Sequence, residues 1–142
     1  MHERGSTSMA MNVKDRQRLV SGWLLLQRTP EVGAPREELA WVVEKVWDLC
    51  DDAPNEAFEF ILGVLDKDSS MPTMAVLSAG PLEALLRRHG PRIINRVERR
   101  ARRDVNFSRL LDHVWKDTLS SQIWTRLQAL RERAAREELV EA

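Results

Sequence analysis

Four arginines, Arg92, Arg96, Arg99 and Arg103, follow one another at i, i+4, i+7 and i+11, which places them in a line along one face of a helix. Guanidinium groups match phosphate oxygens in a two-pronged way, so such a ridge could grip a nucleic-acid backbone. Arg87, Arg88, Arg100 and Arg102 widen it, and residues 87–103 carry eight arginines against the single acid Glu98. A second set of residues has the opposite charge. Glu37, Trp41, Glu44 and Asp48 share the outward side of an earlier predicted helix, an indole among carboxylates. Interface hot spots are enriched in Trp, so Trp41 ringed by acid could anchor a basic partner protein. The other reading packs Trp41 against the first helix or the last.

Catalytic chemistry has less to work with. Cys50 falls on the apolar stripe of its helix, where free cysteine behaves as a small apolar side chain. His89 and His113 have no sequence-adjacent nucleophile and belong to no two-histidine metal motif. No glycine-rich phosphate loop and no nucleophile elbow is present. The expectation is a protein that is not an enzyme, with no catalytic residue, no cofactor and no metal. An enzymatic role would need a pocket in which His89 or Glu83 meets a second polar group.

The charge has to be sorted by segment, because the whole chain of 142 residues is neutral, with a pI near 6.8. Residues 31–68 hold eleven Asp and Glu against three Arg and Lys, the counterweight to the arginine run. Neutrality weakens the nucleic-acid reading, since such modules usually carry a basic balance. So does the lack of Phe, Trp or Tyr between positions 87 and 106, which removes a local base-stacking platform. Arginines in the last turns of helices are also favoured by the helix dipole alone. The arginine ridge is therefore expected to be a solvated face, or one paired with the protein's own acidic stretch. Nucleic-acid binding through Arg92, Arg96, Arg99 and Arg103 is the alternative to protein binding through the acidic face.

A single cysteine excludes an intramolecular disulfide, and the longest apolar runs are far too short to span a bilayer. Residues 1–12 lack the apolar core of a secretory signal. They are expected to form a flexible arm, with Met9 and Met11 as alternative starts, ahead of a single helical domain over 13–142. A cytoplasmic setting follows as the default.

These surfaces need helices to display them, and apolar spacing follows the helical period almost throughout. The spacing predicts helices over about 14–28, 35–51, 54–66, 81–89, 91–103, 105–117 and 121–138, with a short turn near 74–78. Pro at early positions and Gly at ends mark the boundaries. The expected inner stripes include Leu39, Val42, Val43, Val46, Leu49 and Cys50 in the helix over 35–51, and Phe107, Leu110, Leu111, Val114 and Trp115 in the helix over 105–117. The fold class expected is all-α, seven to eight short antiparallel helices in a compact bundle or a small HEAT-like stack. The last helix has the stripe Ile123, Leu127, Leu130 and Ala134 and could continue outward to form a homodimer seam.

Gly80-Pro81-Leu82-Glu83, then Leu85-Leu86, then His89-Gly90 has a structural reading of its own. Pro81 is expected at the first helical position, with Glu83 in the first turn, four residues before Arg87. Gly90 is expected to take a left-handed turn that ends the helix. This Ala-Gly-Pro-Leu-Glu signature, with the Val114-Trp115 pair downstream, resembles an uncharacterised bacterial helical family known as a domain of unknown function. The resemblance covers roughly residues 20–117. It implies a small helical bacterial protein and brings no activity, so Gly80, Pro81, Glu83, His89 and Gly90 are read as a structural motif.

Overall fold

The structure, a computed structural model, describes residues 11–141, and the first ten residues of the expected arm lie outside it. Every regular element among the described residues is helical, so the fold is all-α. The helices are α1 (Val13–Gln27), α2 (Ala34–Glu38), α3 (Ala40–Asp52), α4 (Pro54–Lys67), α5 (Met71–Leu77), α6 (Glu83–Arg103), α7 (Val105–Leu111) and α8 (Ser121–Glu141), with a π-turn at Ser78–Leu82. They group into two compact units that divide between Asp68 and Ser69.

In the first unit α1, α3 and α4 pack on one another, with α2 leaning on α3. Asn12 starts α1 by accepting the Asp15 amide at 2.8 Å, the cap that an exposed helix N-terminus needs. Gly22 lets α1 approach α3 closely: a Cβ there would lie 2.7 Å from Val42 Cγ2. Trp23 and Phe60 meet edge to face, centroids 6.2 Å apart, a contact worth about 0.5–1.5 kcal/mol beyond its buried area. The predicted helix over 35–51 is broken at Leu39. Gly33, at φ 115°, sets the entry to α2, and Arg36 closes the corner by donating to the Leu26 carbonyl at 2.8 Å.

In the second unit α6 packs on both α7 and α8, and α7 also meets α8 and α5. The two Gly-Pro sequences here behave differently. Gly80-Pro81 does not start a helix. The chain passes from α5 to α6 without leaving helical geometry, with Pro81 inside the π-turn. Proline has no N–H and its ring collides with the carbonyl four residues back, and widening one turn accommodates both problems. At Gly90-Pro91 two helical segments meet close to the expected boundary, across a kink at the non-helical His89 (φ −127°, ψ 21°), and α6 spans both. Gly90 is not left-handed, because the positive-φ glycine among the described residues is Gly33. Its role is close approach, since a Cβ there would lie 2.8 Å from Ile123 Cγ1 on α8.

Two side chains assigned to inner stripes are exposed. α7 stops at Leu111 instead of running to 117, which turns Trp115 out of the core at 69% exposure. Val43 is exposed as well, while Val42, Val46, Leu49 and Cys50 from the same predicted stripe are buried.

Candidate protein-binding face

α3 buries Val42, Val46, Leu49 and Cys50 on one side, and the helical period then carries Trp41, Glu44 and Asp48 to its flank. Across the flank runs α1, whose Asp15, Arg18 and Leu19 complete a recess of about 470 Å³ with Lys45. Trp41 is 37% exposed. One edge of its indole reaches α1 where Gly22 leaves room, 3.3 Å from the position a Cβ would take. Over the ring lies the Arg18 guanidinium, its central carbon 4.7 Å from the centroid, a cation–π contact. Trp41 thus packs on the first helix, as one of its two readings has it, and still presents surface to solvent. Glu44 and Asp48 are exposed beside it. Glu37 is exposed on α2 and does not line the recess.

Trp47, which the sequence reading did not single out, is 42% exposed on α3 with Val43 one turn before it. Its signal was available in the helical period. With Val42, Val46 and Leu49 pointing inward, position 47 falls outside the buried arc.

The arginine ridge lies on α6. Arg92, Arg99 and Arg103 are exposed and Arg96 is half-buried. The ridge is partly neutralised from within the same unit. Arg100 donates to Asp104 at 2.9 Å, and Asp104 also caps α7 by accepting the Phe107 amide at 3.1 Å. Glu98, the one acid of the run, accepts two hydrogen bonds from Arg126 of α8, with Nε to Oε2 at 2.8 Å. That pairing holds the Glu98 carboxyl below its usual range and raises Arg126. Asn95 accepts a further bond from Arg126 at 2.7 Å.

Residues of the Gly-Pro motif are brought near one another by the π-turn and the start of α6. Glu83 pairs with Arg87 at 3.5 Å in the expected i, i+4 order. Gly80 and His89 are half-buried, Pro81 and Gly90 buried. Beyond α7, Arg131 of α8 donates to the carbonyls of Leu111 (Nε, 3.2 Å) and Val114 (2.7 Å) and stacks on Trp124 at 4.7 Å. It serves as a C-terminal cap supplied by another helix, and burial holds its guanidinium below the ordinary value.

No cluster of three or more His, Cys, Asp or Glu side chains suited to a metal ion occurs among the described residues. No helix of the described residues is long and apolar enough to cross a membrane.

A family model described as a family of unknown function, DUF6869, matches residues 30–135, most of the chain. No curated protein and no solved structure matches it.

Proposed function

We propose that this chain, which belongs to the DUF6869 family, is a non-enzymatic protein-binding module that receives a basic partner on the acidic flank of α3. The observation that carries this reading is the recess in which a part-exposed Trp41 stands beside Glu44 and Asp48. Trp supplies large contact area from a rigid ring, and carboxylates around it select positive charge and speed encounter. Inhibitors, immunity-type antidotes and adaptor subunits of the bacterial cytoplasm are the roles that suit such a face. That step rests on analogy of charge and size. Trp41→Ala and Glu44→Lys are each expected to abolish capture of the native partner while circular dichroism shows unchanged helix content. Undiminished capture by both variants would refute the assignment.

A second reading rests on the exposure of Arg92, Arg99 and Arg103 on α6, which would serve an accessory nucleic-acid binder. It predicts retardation of DNA or RNA in a gel at low salt that weakens steeply as salt rises, and its loss in Arg96→Glu/Arg99→Glu. Absence of any shift at low salt would remove it. A homodimer seam would use the distal part of α8, where Leu139 is exposed.

A further inference from the structure

We infer that the recess beside Trp41 is a receptor for an arginine side chain of the basic partner, and that Arg18 is its resting occupant, displaced when the partner binds. This rests on the protein-binding reading above and specifies its chemistry. The indole offers one edge to α1 and keeps its π-face for a cation, and a guanidinium already sits there at 4.7 Å. Arg18 is exposed, with its guanidinium resting over the ring.

An incoming guanidinium takes the ring face by replacing Arg18, and the surrounding charges favour a cation there. Asp15, Glu44 and Asp48 face Arg18 and Lys45, three carboxylates against two cations. With Arg18 on the ring that field is nearly balanced. With Arg18 swung into solvent it is three against one, and an incoming guanidinium restores the balance. Arginine suits the site better than lysine because its planar, weakly hydrated group can stack on the indole while its edge donates to carboxylates.

The experiment uses the full chain and a fluorescein-labelled peptide of alternating arginine and alanine, followed by fluorescence anisotropy at about 0.1 M salt, where charges roughly 10 Å apart are already screened. Arg18→Ala is expected to tighten binding about two- to fivefold. An exposed guanidinium–indole contact of about 0.5–1 kcal/mol converts to that range. Trp41→Leu keeps an apolar contact at Gly22 and removes the π-face. It is expected to weaken binding and to cancel the gain from Arg18→Ala in the double variant. A lysine–alanine peptide should bind Arg18→Ala more weakly than the arginine peptide does. If Trp41→Leu and Glu44→Lys lose the peptide but Arg18→Ala binds it no better, the displacement idea falls and the acidic face stands. If Trp41→Leu and Glu44→Lys bind it like the parent chain, the face itself falls and this inference with it.

Discussion

Glu98 shows how one side chain can reverse the meaning of a charge run. Read alone, it is a lone acid among eight arginines. In the fold it ties α6 to α8 by accepting a two-pronged bond from Arg126. Its carboxyl is held below the usual value, chiefly by that hydrogen bond. A depressed folded-state value means that the group stabilises the protein above the unfolded carboxyl range. That contribution is lost as pH falls through the depressed folded value. Glu98→Gln should therefore lower stability against urea clearly at about pH 7 and much less at about pH 3. An equal loss at both pH values would show that the carboxylate charge is not what matters. This ion pair is exposed on the arginine side and screened by solvent, so a modest effect is expected.

At the scale of elements, the two Gly-Pro steps were legible as perturbations of helices but not as to their kind. Proline removes one hydrogen bond wherever it sits, so local chemistry allows a helix start, a kink or a widened turn. Which of these forms depends on what packs against the corner. Gly90 is the clearest instance. From sequence it is a left-handed terminator; in the fold it is a buried helical residue against Ile123. Ala at an open helical position gains about 1 kcal/mol over Gly, whereas overpacking costs about 1–3 kcal/mol. Gly90→Ala is therefore expected to lower stability by roughly 1 kcal/mol. In an Ile123→Ala background, where the clash is gone, the same change should be favourable. Thermal denaturation of the four chains gives the sign directly, and a stabilising Gly90→Ala in the parent would overturn the close-approach role.

Over the whole molecule, charge is segregated along the chain while the total is zero. A face of one sign acts at long range and is sensitive to salt, because screening shortens its reach from about 10 Å at 0.1 M to about 3 Å at 1 M. Partner capture by the α3 flank should accordingly weaken, mainly through slower association, as salt rises from about 0.1 M toward 1 M. Binding insensitive to salt would point instead to the apolar surface of Trp47 and Val43. The family match extends over 30–135 and so spans both the acidic helix and the arginine helix.

Periodicity alone determined that this chain is helical, because a stripe recurring every three or four residues has no other way to be buried together. It also located the acid-rich and arginine-rich stretches, since charge is a property of composition. Only the tertiary structure decided that Trp41 is shared between α1 and solvent, that Trp115 leaves the core, and that Gly90 serves contact. Each of these depends on which neighbour arrives at a given face and how closely. Such distances come from packing between segments far apart in the chain, and a single helix's own pattern does not contain them.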